Sequence, residues 1–285
     1  MKKTILSIIG VAALAAGANA QVIYEGFAYT PGTNNLNGQN GGSGFSAAWS
    51  DASVTDNLSI SSGSLVPTAT MRTGYATTGN KTASPTGGGS NVDFIGTRQM
   101  STSINLDSTS TTYFSFLVLG DWTTLGSSRG FNVGFTGSAT SLSTNAITIK
   151  KDFNTQTLFS AVGGNHTGTG VSNAITDNTV TFVVGKLVTT NSGNDQLSFI
   201  SYAGAETVAN TETWDISNVS LGSLTGSLTH FVFSGRVNDN SMFYQFDEFR
   251  TGATWDAVTI PEPTTWALLA GSLTALVVFR RRRRA

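Results

Sequence analysis

Between residues 21 and 258 the chain repeats one cadence: a short β-branched or aromatic run, then a cluster of Gly, Asn, Ser or Pro. The predicted strands are Val22 to Phe27, Phe45 to Trp49, Asn91 to Thr97, Tyr113 to Leu119, Phe131 to Phe135 and Ala146 to Lys150. Gln156 to Val162, Val180 to Val188, Gln196 to Ser201, His230 to Ser234 and Met242 to Arg250 complete the set. Phe131-Val133-Phe135 and Leu197-Phe199 alternate with period two, the signature of a half-buried strand. Tyr113 to Leu119 and Val180 to Val184 are nearly continuous and read as central strands. Pro31-Gly32, Asn40-Gly41-Gly42, Gly163-Gly164-Asn165 and Asn191-Ser192-Gly193-Asn194 supply turn chemistry between them. No long helical period interrupts the run, and no repeat of propeller or solenoid length occurs. About eleven strands in one series predict an all-β, two-sheet antiparallel sandwich of jelly-roll type.

The stretch from Ser50 to Ser90, rich in Thr, Ser and Gly, has the composition of a disordered linker, yet Leu58-Ile60 and Leu65-Val66 read as strand fragments within it. The chain has no cysteine, so disulfides, thiolate chemistry and cysteine-ligated metals are excluded. A body of about 240 residues is long enough to be stabilised by its own core.

The two ends read differently from the body. Met1-Lys2-Lys3, the apolar Ile5 to Ala16 and Ala18-Asn19-Ala20 are the three parts of a secretory signal peptide over residues 1–20, cut by signal peptidase to leave Gln21 first. At the other end, Pro261-Glu262-Pro263 is followed by an apolar run of 14 residues, Trp266 to Phe279, and then by Arg280, Arg281, Arg282, Arg283 and Arg284. The prolines interrupt helix and sheet alike. The apolar run predicts a transmembrane helix, and the arginines stop transfer on the cytoplasmic side. As a helix that run spans roughly 21 Å, against a hydrocarbon core of about 30 Å, which suits a temporary anchor. Setting Lys2, Lys3 and the five terminal arginines aside leaves nine Lys+Arg against all 17 Asp+Glu, so residues 21–279 carry −8. A sparsely charged, mildly acidic body argues against a nucleic-acid partner.

The segment 259–285 resembles the PEP-CTERM sorting signal of Gram-negative bacteria, in the order motif, apolar helix, arginine cluster. The resemblance implies that an exosortase-type enzyme recognises Pro261, Glu262 and Pro263 while the chain is transiently anchored in the inner membrane. The protein then passes to the cell surface or the extracellular polymer. Within residues 21–258, Glu25-Gly26-Phe27-Ala28-Tyr29, the Leu36 to Phe45 stretch with Trp49, and Phe246-Asp247-Glu248-Phe249-Arg250 with Thr254-Trp255 resemble secreted bacterial sandwiches of the concanavalin-A-like (laminin-G-like) type. That resemblance implies that the first and last strands lie side by side, and it implies no shared catalytic activity.

Retaining glycoside hydrolysis needs two carboxyl groups about 5–5.5 Å apart on one face. Asp247 and Glu248 are adjacent, so strand alternation predicts opposite faces, with Glu248 near a sheet edge and paired to Arg250. His166, in a Gly- and Asn-rich loop, and His230, at a strand start, have no ligand spacing around them. No cofactor is called for; a structural calcium would be sought at Asn194, Asp195 and Asp239. Trp122 and Trp214 are the foremost candidates for stacking on a glycan, with Trp49 and Trp255 behind them. The expectation is a non-enzymatic structural or adhesive surface protein, with a carbohydrate-binding module as the alternative. A divergent glycosidase or polysaccharide lyase would need a constellation that the sequence does not display.

Overall fold

Strand alternation distinguishes two kinds of sheet in this molecule, one largely buried on both faces and one whose outer face is covered only in part. The computed structural model describes residues 21–33, 35–51, 58–72, 75, 77–84, 92–120, 130–151, 156–237 and 243–260. The signal segment 1–20, Pro261 to Pro263, the apolar tail helix, Arg280 to Arg284, Trp122 and Asp239 all lie outside the described residues. The helix and strands are β1 (Gln21–Glu25), β2 (Ser50–Asp51), β3 (Ser59–Ser61), β4 (Lys81–Ala83), β5 (Val92–Asn105), β6 (Ser110–Gly120), β7 (Gly130–Thr136) and β8 (Ile147–Lys151), then β9 (Leu158–Val162), β10 (Asn165–Val171), β11 (Thr181–Thr189), β12 (Asp195–Tyr202), β13 (Ile216–Gly222), β14 (Ser227–Val237), β15 (Tyr244–Gly252) and α1 (Trp255–Thr259).

The chain forms two antiparallel sheets. The first runs β13-β12-β11-β6-β15-β4-β3 with β1 also on β15, and the second runs β10-β9-β8-β7-β14-β5-β2. The first and last strands do lie side by side, with Tyr24 opposite Arg250 and Glu25 opposite Phe249. Phe131, Val133 and Phe135 of β7 enter the core between the sheets, together with Phe114, Phe116 and Val118 of β6. On β7 the intervening Asn132 and Gly134 face outward, as period two requires.

β6 has no such polar face. Tyr113 and Leu117 belong to a second apolar cluster, with Phe182, Val184 and Ile200, roofed by Leu65, Ala69, Val208, Trp255 and Val258. This roof explains why β6 and β11 read as continuous apolar runs. Part of it is α1, capped by Thr254, whose Oγ1 accepts from the Ala257 N–H at 3.2 Å. Arg72 Nη1 fastens α1 by donating to Asp256 Oδ1 at 2.5 Å and to Thr259 Oγ1 at 2.9 Å. Among the described residues no helix is long and apolar enough to cross a membrane.

The structure departs from the sequence reading in several places. Phe45 to Trp49 is not a strand; Phe45 makes one bridge to Met100, and pairing resumes only at β2. β10 and β13, rich in Gly, Thr, Asn and Ser, escape propensity because each is a sheet edge with few buried positions. Gly163 and Gly164, at φ of 57° and 81°, make the two-residue turn that folds β10 back on β9. The Ser50–Ser90 stretch contributes β3 and β4, and through Leu65 and Ala69 it helps to roof the first sheet.

Candidate functional site

Glu25 is fully buried and ion-paired to Arg98, itself only 1% exposed. Its carboxylate also accepts from the Phe27 N–H (2.8 Å), the Tyr29 hydroxyl (2.7 Å) and Trp49 Nε1 (3.0 Å). Arg98 in turn donates to Asn40 Oδ1 (2.8 Å) and the Ala47 carbonyl (3.0 Å), with its guanidinium 4.1 Å above the Phe45 ring. Trp49 is therefore a core residue, and the network fixes the irregular 27–49 segment that propensity misread.

Asp247 and Glu248 are not edge charges. β15 lies inside its sheet between β6 and β4, and both residues are buried. Nor do they point apart. The β15–β6 register shifts between Asp247 and Arg250, and Glu248 sits at φ 52°, so a bulge breaks the alternation. Both carboxylates end beneath the same covering segment, where the Leu65 N–H donates to Asp247 and the Thr78 N–H to Glu248, each at 2.8 Å. Glu248 also accepts from the Tyr24 hydroxyl (3.1 Å) and Arg250 Nη2 (2.5 Å), so the predicted Glu248–Arg250 pair is present. Burial, with the Glu248 charge beside it, pushes the Asp247 carboxyl up to about 8, against two backbone amides that hold it down. A carboxyl raised in the folded state favours folding fully below its unfolded value, and this contribution is lost as pH climbs through the folded one. The melting temperature should therefore be higher at pH 5 than at pH 9. Asp247→Asn should flatten that difference in a thermal melt, whereas an unchanged slope would assign it to other groups.

Other predicted side chains have structural occupations. Asp195 is fully buried, and its two oxygens accept from the Thr190 N–H (2.9 Å) and the Leu224 N–H (3.1 Å), while neighbouring Asn194 is exposed. The carboxylate thus closes the β11–β12 turn by itself, and among the described residues no three His, Asp or Glu converge as a metal site. Trp214 is half-buried on the first sheet: its ring stacks on Tyr113 at 6.5 Å and meets Trp255 edge-on at 5.4 Å. Its Nε1 donates to Glu212, which also accepts from Lys186 Nζ and the Tyr113 hydroxyl, both at 2.6 Å. Partial burial opposes ionisation of Glu212, but these donors hold its carboxyl below the usual range. Trp255 is 6% exposed and belongs to the roof. His166 lies on β10 rather than in a loop, stacked on Phe159 at 4.9 Å. His230 lies within β14, next to Thr229 Oγ1 at 2.8 Å, and burial pulls its pKa down.

The outer face of the second sheet is open only beside the 138–141 turn, whose carbonyls cover Thr97 and Thr136. A groove of about 370 Å³ runs over it, lined by Ile95, Asn132, Leu142, Lys150, Ser234 and Arg236 among others. Arg236 holds Asp93 bidentately at 2.5 and 2.8 Å, and Lys150 Nζ donates to the Gly164 carbonyl at 2.8 Å. Sequence reading missed this set because most of its members are spread over β5, β7, β8 and β14. The available signal was faint: Asn132 is the polar partner between Phe131 and Val133 in an alternating strand. The groove offers hydrogen-bond donors and acceptors and charge, with a single carboxylate, Asp93, on its lining. A second cavity, of about 290 Å³, lies where the sheets diverge, with Ile23, Met100 and Phe135 at its base and threonine and serine hydroxyls around it. No titratable side chain lines it.

No family model matches the chain, and no curated protein matches it. Similar solved structures include an endo-β-1,4-glucuronan lyase from the fungus Trichoderma reesei, 11% identical over 84% of this chain and 98% of that one, with a TM-score of 0.43. The globular domain of T. cruzi calreticulin is 12% identical, over 92% of this chain and 100% of that one, with a TM-score of 0.45. Lectin II from Ulex europaeus is 11% identical, over 82% and 99%, with a TM-score of 0.40. At such identities and TM-scores the likeness assigns neither an activity nor a ligand to this chain.

Proposed function

We propose that this protein is exported, sorted through its C-terminal tail, and displayed at the cell surface or in the extracellular polymer, where it has a non-enzymatic structural or adhesive role. The observation that supports the non-enzymatic part is the occupation of three of the buried carboxylates. Glu25, Asp247 and Glu248 are sealed in networks that hold the chain together, where no substrate reaches them. A jelly-roll, concanavalin-like arrangement is supported by the neighbouring first and last strands. The sorting part rests on the order of the Pro-Glu-Pro motif, the apolar run and the arginines. Replacing Pro261, Glu262 and Pro263 by alanine should leave nearly all of the protein in the inner-membrane fraction. Release to the surface at the wild-type level would overturn the sorting reading.

A second reading, a carbohydrate-binding module associated with extracellular polysaccharide, is favoured by one specific feature. Of the two sheets, the second keeps an outer face that carries polar side chains and a groove, where the first is largely roofed by apolar residues. Display and binding are compatible, since an adhesive protein needs a surface that holds its polymer.

A further inference from the structure

We infer that the cavity where the sheets diverge binds one neutral sugar ring, a pyranose at the end of a glycan; this deepens the carbohydrate-binding reading, on which it rests, and seats the sugar apart from the groove. On β6 the residues that face the space between the sheets are Phe114, Phe116 and Val118, all in the core. Strand alternation carries the same face on to Thr112 and Ser110. Thr112 lies opposite Leu187, itself a core residue, and Ser110 lies opposite Thr189. On β15 Phe249 is in the core, and two residues further on Thr251 lies opposite Phe114 and Ile23, both core residues. The apolar layer thus gives way to hydroxyls at one end of the sandwich, and the cavity opens at that end.

Ser110 Oγ pairs with Thr189 Oγ1 at 2.8 Å. Among the described residues, the Thr112 and Thr251 hydroxyls make no hydrogen bond to the protein, although Thr251 is only 3% exposed. A buried hydroxyl without a partner costs free energy, and valine would fill the same shape without that cost. A ligand that supplies the partner accounts for their placement. The lining has no titratable side chain, so an ion would enter without a counter-charge. A hydrocarbon would suit Ile23, Met100 and Phe135 but would strip water from Thr112 and Thr251 without replacing it. A pyranose meets both demands: its C–H face covers the apolar base, and its hydroxyls donate and accept, as those of threonine do. Ligand sites run from roughly 300 to 1,000 Å³, so a cavity of about 290 Å³ fits one ring rather than several. Ala253 is exposed on the lining, which leaves a mouth for the rest of the glycan.

Full-length protein in a zwitterionic detergent, whose headgroup carries no sugar, is titrated by saturation-transfer NMR with the methyl pyranosides of glucose, galactose and mannose, and with glucuronate. Binding of at least one methyl pyranoside, and not of glucuronate, is the expected result. Thr112→Val/Thr251→Val should weaken that binding about tenfold, the worth of two neutral hydrogen bonds, while the melting temperature stays level or rises. Ala253→Trp, an exposed change at the mouth, should abolish binding and keeps the test decisive if the double variant misfolds. Equal binding of glucuronate would overturn the neutral-ligand assignment. Pyranoside binding that ignores all these substitutions and falls with Asn132→Ala would move the sugar to the groove, overturning the cavity site while the carbohydrate-binding reading stands. Silence from all three pyranosides would also overturn the site. Migration through a hydroxyethylcellulose gel then decides the wider reading: retardation keeps it, and free passage removes it.

Discussion

Glu25→Ala should destabilise the protein by about 3–5 kcal/mol, because it leaves the Arg98 charge buried without its partner. The same change strips an acceptor from Trp49 Nε1, the Tyr29 hydroxyl and the Phe27 N–H at once. Each buried donor left unsatisfied adds to the cost. For a domain of this size the melting temperature should fall by on the order of 10 °C. Glu25→Gln keeps the shape and one acceptor oxygen, and should lose less. The paired change Glu25→Met/Arg98→Met should cost less than the sum of its parts, because it removes both charges together. A Glu25→Ala protein with the wild-type denaturation midpoint would show that the 27–49 segment is held by its apolar contacts alone.

Glu248→Ala should cost a similar amount, about 3–5 kcal/mol, since Arg250 is 3% exposed and loses the carboxylate that pairs with it. Comparison with Glu248→Gly separates two effects. Both lose the carboxylate, but glycine accepts φ 52° without strain. Glu248→Gly should therefore recover about 1 kcal/mol relative to alanine. Denaturant titration of the three proteins reads both differences. Release of reducing ends or unsaturated sugar from any polysaccharide by wild-type protein, abolished in Glu248→Gln of equal stability, would overturn the structural assignment of this residue.

The sequence made most of the strands legible, because aromatic and β-branched residues were placed where burial on one face or two demanded them. Tyr113 to Leu119 even carried the information that its sheet is covered twice, although the roof is assembled from residues as distant as Leu65 and Val258. The edge strands β10 and β13 stayed hidden, since an edge with an exposed face needs no hydrophobic pattern. Charge pairing was harder still. Glu25 meets Arg98 across 73 residues, and nothing local marks either as buried. Adjacent Asp247 and Glu248 misled for a definite reason: alternation holds only while the ladder is regular, and one residue in the left-handed region is enough to bring neighbours together. The groove on the second sheet draws its lining from several strands, a property that no single segment carries. The Glu248–Arg250 pair, two residues apart, was readable; the partners that seal it were not.

The pairing of β1 with β15 has a mechanical side. Gln21 lies opposite Gly252, so the start of β1 and the end of β15 share one pole of the sandwich. A tether attached beyond Ile260 would, once α1 gives way, pull along β15, across hydrogen bonds to β1 and β6 that lie perpendicular to the force. Bonds loaded in that direction yield together rather than one after another. Pulled at that end, the sandwich would act as a shear joint, resistant to extension along β15.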